Sequence, residues 1–87
     1  MIVNTVCYKT ISPIYYNKGT EHEKSCDEFL LRYAPFDLEK AKNYIKLLNE
    51  LLEAKDFPKL RKAIYDNYNV NLENIKYFFL SAQEEFD

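Results

Sequence analysis

The sequence predicts a mainly α-helical fold: a compact bundle of about four short helices, preceded by an extended or short β-hairpin N-terminal arm. Apolar side chains recur at the three- and four-residue spacing of one helix face over most of the chain. Side chains that cap helix N-termini precede these stretches. The 87 residues include one glycine, too few for the tight turns of a many-stranded β fold.

The length predicts a single domain, residues 1–87, divided into an arm at 1–19 and a helical body at 20–87. β-Branched and aromatic residues make the arm favour extended structure: Ile2, Val3, Thr5, Val6, Tyr8, Thr10 and Ile11. Because a lone two-stranded hairpin is marginal in water, we expect the arm to pack on the helices or on a partner.

The first helix is predicted over residues 21–34. Thr20 with Glu23, and Ser25 with Glu28, have the spacing of a capping box, so its start has two alternatives. An apolar stripe follows, made of Cys26, Phe29, Leu30 and Tyr33. Pro35 ends the helix, because the residue before a proline avoids α geometry.

Two further helices are predicted at residues 38–54 and 57–68. Asp37 is the expected N-cap of the first, and its broad apolar face predicts a central position in the bundle. Asp56 is the expected N-cap of the second, with Pro58 in the first turn, where its missing N–H is tolerated. Asn69 is expected in the left-handed conformation after that helix.

The fourth helix is predicted over residues 72–86, with Asn71 as its N-cap. Val70 and Ile75 occupy the positions of a hydrophobic staple around this cap. The alternative is a strand from Ile75 to Leu80.

No catalytic or metal-binding constellation is evident, so we predict a protein that is not an enzyme and uses no cofactor or metal. His22 and Cys26 stand one turn apart if residues 21–34 are helical, but Cys26 is then in the apolar stripe, where a thiol is inert. A zinc site from Cys7, His22 and Cys26 lacks paired ligand spacing. Reduced cysteines are expected, with a Cys7–Cys26 disulfide as the alternative.

The chain has no signal-peptide pattern and no apolar run long enough to span a bilayer, which predicts a cytoplasmic protein without a membrane partner. Its frequent Lys, Asn, Tyr, Ile and Phe are typical of an AT-rich genome, as in phages and mobile elements.

Charge is unevenly distributed along this small acidic protein. Residues 40–62 contain seven basic and three acidic residues, although the chain has a net charge of −2. Lys42 and Lys46 are expected on one helix face, and Lys55, Lys59 and Lys62 on another. One hypothesis is a basic ridge that meets an acidic or phosphorylated partner. The alternative is that solvent and acidic neighbours balance the lysines.

Four tyrosines fall off, or at the margin of, the predicted apolar stripes: Tyr15, Tyr16, Tyr65 and Tyr77. Tyrosine is enriched at protein interfaces because it combines a large rigid ring with a hydroxyl. These residues are therefore candidates for partner binding. The alternative is that a thin core recruits them at its rim.

Together these features predict a small non-enzymatic protein-binding inhibitor of the immunity, anti-defence or anti-CRISPR type, which blocks a functional surface of a larger protein. One alternative is a nucleic-acid-associated regulator that uses the basic 40–62 block. A helix-turn-helix reader is disfavoured, because the predicted fourth helix has no Arg. The other alternative is a structural subunit of a homo-oligomer with swapped arms; the chain is expected to be a monomer or homodimer.

Overall fold

A computed structural model describes residues 2–31, 33–66 and 68–84 of the chain. They form a three-stranded antiparallel sheet and two α-helices. In chain order the elements are β1 (Ile2–Tyr16), β2 (Lys24–Leu30), α1 (Leu38–Glu53), α2 (Phe57–Ala63), a 3-10 turn (Leu72–Asn74) and β3 (Ile75–Glu84). The strand order is β2-β1-β3, so the N-terminal strand lies at the centre of the sheet.

The predicted four-helix bundle is wrong. The segment predicted as a helix at 21–34 contains β2, and the one predicted at 72–86 contains β3, so the strand alternative for residues 75–80 is the correct one. Residues 85 and 86 of that predicted helix lie outside the described residues. Both segments pair with β1, whose β-branched and aromatic residues favour the strand conformation. Tertiary pairing thus overrides the helical spacing that each segment shows by itself.

The predicted N-terminal arm is extended, but it is the central strand of the sheet. β1 pairs with β3 from Ile2↔Glu84 to Thr10↔Ile75, and with β2 from Cys7↔Leu30 to Tyr16↔Lys24. The hairpin therefore forms between β1 and β2 and is not contained within residues 1–19. An exchange of this strand between protomers is not needed to give it partners.

The prediction of α1 is confirmed, because its start is set by local chemistry. The Asp37 carboxylate accepts hydrogen bonds from the N–H groups of Glu39 and Lys40, at 2.8 and 3.3 Å. At the other end, Lys55 has a φ of 57° and its N–H donates to the Leu52 carbonyl, while the Asp56 N–H donates to Leu51. This is a Schellman ending in which lysine occupies the position that glycine favours.

The start of α2 is confirmed at its Asp56 cap, which accepts from the Lys59 N–H, but the helix ends earlier than residue 68. Tyr65, with a φ of 54°, gives a second Schellman ending. The adjacent Asp66 side chain is 2% exposed and forms an ion pair with Arg61. It also accepts from the N–H groups of Tyr68 and Val70, at 2.8 and 2.9 Å, which holds the chain in a loop where the prediction had helix.

The hydrophobic core lies between the helices and one face of the sheet. Its buried members are Val6, Tyr8, Leu48, Leu60, Ile64, Leu72, Ile75 and Phe78. The opposite sheet face is formed by side chains that alternate with these, including Cys7, Leu30 and Phe79. Within the described ranges, neither helix is long and apolar enough to cross a membrane.

Two asparagine side chains bind strand backbone in the way another strand would. The Asn49 amide donates to the Phe78 carbonyl at 3.1 Å and its oxygen accepts from the Phe78 N–H at 2.8 Å. The Asn74 amide does the same to Ser12, with both distances 3.0 Å. Asn49 thereby covers part of the outer edge of β3, and Asn74 continues the pairing of β1 beyond the end of β3.

Candidate protein-binding surface

The hairpin formed by β1 and β2 extends beyond the third strand. Pairing of β1 with β3 stops at Thr10, whereas pairing with β2 resumes at Ile14↔Cys26 and continues to Tyr16↔Lys24. We call residues 11–26 the hairpin arm. Its turn contains Gly19 with a φ of 84°, and the Thr20 hydroxyl accepts from the His22 N–H at 3.2 Å. Thr20 and Glu23 therefore belong to a turn where the sequence predicted a helix cap.

The hairpin arm exposes large apolar side chains. Ile11 is 63% exposed, Ile14 40%, Tyr15 55% and Tyr16 40%. Tyr15 and Tyr16 are consecutive strand residues, so they point to opposite faces of the ribbon. The Lys18 ammonium lies 5.9 Å from the centre of the Tyr15 ring, in a cation–π contact. Both faces of the arm therefore offer aromatic contact area to solvent.

A groove adjoins the base of the arm. Its volume is about 580 Å³, and Ile11 forms part of its wall. Apolar side chains from α1, α2, the 3-10 turn and β3 continue that wall, and charged side chains lie beside them: Leu52, Phe57, Leu72 and Ile75, with Glu53, Lys55, Glu73 and Lys76. Two of the predicted partner-binding residues, Lys55 and Tyr77, also line the groove. The arm and the groove meet at Ile11 and form one surface.

The four tyrosines that were predicted to bind a partner lie in three separate places. Tyr15 and Tyr16 are on the arm. Tyr65 is exposed after α2, with its ring centre 5.0 Å from that of Tyr33. Tyr77 packs on Phe79, with ring centres 5.8 Å apart, on the sheet face away from the helices. The structure therefore joins Tyr77 to the arm only through the groove, and leaves Tyr65 apart.

Tyr65 belongs to an aromatic cluster with Tyr33 and Tyr44. The ring centres of Tyr33 and Tyr44 are 5.4 Å apart in an edge-to-face contact. The Tyr44 hydroxyl donates to the Ala63 carbonyl at 2.6 Å. Burial raises the pKa of Tyr44 to about 12. This cluster connects α1 to the end of α2, which favours a structural role for Tyr44.

The five lysines that were predicted to bind a partner are exposed, but they do not form one basic ridge. Lys42 and Lys46 are on α1, Lys59 and Lys62 are on α2, and Lys55 is in the turn between the helices, not on the face of α2. The Lys59 ammonium lies 3.8 Å from the Asp56 carboxylate. For the other four, the described part of the chain provides no ion pair.

The two cysteines lie on β1 and β2, and the histidine lies in the turn before β2. Cys7 and Cys26 are free thiols, and burial raises the pKa of the Cys7 thiol. The Cys26 thiol donates to the Glu28 carbonyl at 3.1 Å. His22 precedes β2 in an exposed turn, so the predicted one-turn helical spacing to Cys26 is wrong. Among residues 2–31, 33–66 and 68–84, no three potential ligands are placed to hold a metal ion.

Sequence reasoning missed several exposed apolar residues. Ile11 and Ile14 were assigned to the arm but not to a site, although Pro13 between them lies where the pairing of β1 with β2 is interrupted. Tyr33 and Leu30 were assigned to the buried stripe of a helix, yet both are exposed. The helical spacing of 26, 29, 30 and 33 concealed them.

No protein-family model, no curated protein and no solved structure matches this chain.

Proposed function

We propose that this protein is a non-enzymatic inhibitor of the immunity or anti-defence type, which binds a larger protein through its hairpin arm and covers a functional surface there. One observation carries the proposal. The arm is a two-stranded ribbon with Ile11, Ile14, Tyr15 and Tyr16 exposed on it. It extends past the end of the pairing between β1 and β3.

Exposed apolar area on such a ribbon gives little to the stability of the free chain. Burying one Ile or Tyr side chain in a complex contributes on the order of 1.5–3 kcal/mol. Tyrosine loses little side-chain entropy when it is fixed, which makes it efficient in an interface. The adjacent groove, with apolar walls and charges of both signs, extends the contact beyond the arm. This arrangement supports contact with a protein surface.

The experiment uses the full chain and a Tyr15→Ser/Tyr16→Ser variant. The full chain is immobilised to capture a protein from the host, and the captured protein is purified and assayed. We expect one equivalent of the free chain to lower the activity of the captured protein. The double variant is expected to bind at least tenfold more weakly and to keep the melting temperature, because both rings are exposed.

A matched control is Leu38→Ser/Leu47→Ser on α1. It also removes two exposed apolar side chains, but away from the arm, so binding and inhibition should be retained. Equal weakening by both double variants would overturn the role of the arm. A captured protein whose activity the chain leaves unchanged would overturn the inhibitor proposal.

Salt-sensitive binding to DNA or RNA, lost on charge reversal at Lys42 and Lys46, would favour the nucleic-acid alternative instead.

A further inference from the structure

The two outer edges of the sheet differ in how their backbone groups are occupied. On β3, the Asn49 amide binds both the N–H and the carbonyl of Phe78. At the other edge, the Leu31 N–H donates to the Val6 carbonyl at 2.8 Å, so the backbone N–H of Leu31 points toward β1. By the alternation of a strand, the backbone groups of Leu30 and Glu28 then point away from β1, toward solvent.

The outer edge of β2 is chemically suited to pair with another strand. Residues 24–30 contain neither proline nor glycine, the usual interruptions of an edge strand. Ser25, Glu28 and Leu30 are exposed. The Glu28 carbonyl has a weak partner, the Cys26 thiol at 3.1 Å. In the described part of the structure, no amide comparable to that of Asn49 covers this edge.

We propose that this edge pairs with the same edge of a second copy, antiparallel, to give a symmetric dimer with a continuous six-stranded sheet. In the register we assign, Lys24 of each copy stands opposite Glu28 of the other, and the two Cys26 residues face each other on the twofold axis. Opposite charges directly across a strand pair stabilise it, and like charges destabilise it.

Charge complementarity favours a second copy of this chain as the partner of β2, and it also sets the register of the pairing. A strand with Lys24 and Glu28 placed symmetrically about Cys26 is complementary to itself when it is turned around by a twofold axis. Moving the twofold axis by two residues, from Cys26 to Glu28, would place Glu28 opposite Glu28. Lys24 makes no ion pair within the described ranges, and Glu28 reaches Lys9 only at 3.8 Å. Both charges are therefore available.

The proposal does not rest on the inhibitor function. Residues 24–26 belong to both the hairpin arm and the pairing edge, but the exposed side chains on which the inhibitor proposal rests lie on β1. Sedimentation equilibrium of the full chain over a concentration series measures the dimer. Glu28→Lys and Lys24→Glu are each expected to raise the dissociation constant by about tenfold, because two attractive pairs become repulsive.

Restoration by charge exchange is the decisive result. The double variant Lys24→Glu/Glu28→Lys should recover dimerisation, and an equimolar mixture of the two single variants should form the heterodimer. Lys42→Glu on α1 is the matched control and should leave the dissociation constant unchanged, while thermal melting verifies that each variant is folded.

Disulfide trapping tests the register. Two residues in a hydrogen-bonded antiparallel pair have Cα atoms about 5.5 Å apart, within the range that a disulfide spans. A mild oxidant should therefore link two chains through Cys26. The linkage should disappear in Cys26→Ser and in Glu28→Lys, and persist in Cys7→Ser, because Cys7 is buried.

A chain that stays monomeric at millimolar concentration would overturn the proposal. A dimer unaffected by the charge variants, or one trapped without Cys26, would overturn it as well. Amide protection of Glu28 and Leu30 only when the captured target is bound would assign the edge to a strand of that target and also overturn self-pairing.

Discussion

Replacing Asn49 by alanine removes the side chain that covers the edge of β3. Two hydrogen bonds to Phe78 are lost, and the part-buried N–H and carbonyl of that residue lose their partners. Each bond contributes about 1 kcal/mol, and leaving buried groups unpaired adds to the loss. The better helix propensity of alanine offsets about 0.5 kcal/mol. We expect the free energy of unfolding to fall by about 2 kcal/mol.

Urea denaturation followed by circular dichroism measures this change, and the melting temperature should fall by about 8–16 °C for a domain of this size. Asn74→Ala is the internal comparison, because Asn74 makes the same two bonds to Ser12 at an exposed position. Water can replace those bonds, so its loss should be about 1 kcal/mol or less. Asn43→Ala, exposed on the same helix as Asn49, controls for helix propensity.

If Asn49→Ala lowers the free energy of unfolding no more than Asn74→Ala does, then burial does not determine how much these two hydrogen bonds contribute, and the reasoning is refuted.

Three further changes have defined outcomes. Lys55→Gly should raise the free energy of unfolding by about 1 kcal/mol in urea denaturation, because glycine tolerates the φ of 57° at the end of α1; a decrease would contradict this. Asp66→Asn should lower it by about 2–3 kcal/mol, since it leaves Arg61 without its carboxylate, and Arg61→Met/Asp66→Asn should recover part of that loss. The pKa of Tyr44 is raised to about 12 in the folded chain, against about 10 when unfolded. The stability that this shift contributes is present below pH of about 10 and is lost as pH rises toward 12. Unfolding measured from pH 9 upward should therefore show a shallower decline for Tyr44→Phe than for the parent chain, and identical slopes would contradict the assignment.

The candidate surface was only partly predictable from the sequence. Tyr15 and Tyr16 were identified because they fit no helical stripe, and the structure places both on an exposed ribbon. The position of Tyr65 depends on the left-handed end of α2 and its contact with Tyr33, which no local pattern specifies. Lys55 and Tyr77 line the same groove, which depends on the packing of α1 against β3.

The sequence by itself determined α1 and the start of α2. Asp37 and Asp56 cap backbone groups two or three residues away, and helical hydrogen bonds link residues four apart, so a short window contains all the interactions that these elements need. Asn69 has the predicted left-handed conformation, with a φ of 56°, but it does not end a helix, because α2 ends at Ala63.

Only the tertiary structure decided β2 and β3. The partner of a strand lies elsewhere in the chain: Thr5 pairs with Ser81, and the Asn49 side chain that covers the edge of β3 comes from a helix. The apolar residues at 26–33 and 75–82 have the spacing of a helix face, and the sequence of neither segment indicates that it pairs with β1. In both segments the local preference for helix is small. Hydrogen bonds to β1 and burial against it stabilise the extended conformation by more than that preference, so the chain forms a sheet around its first strand.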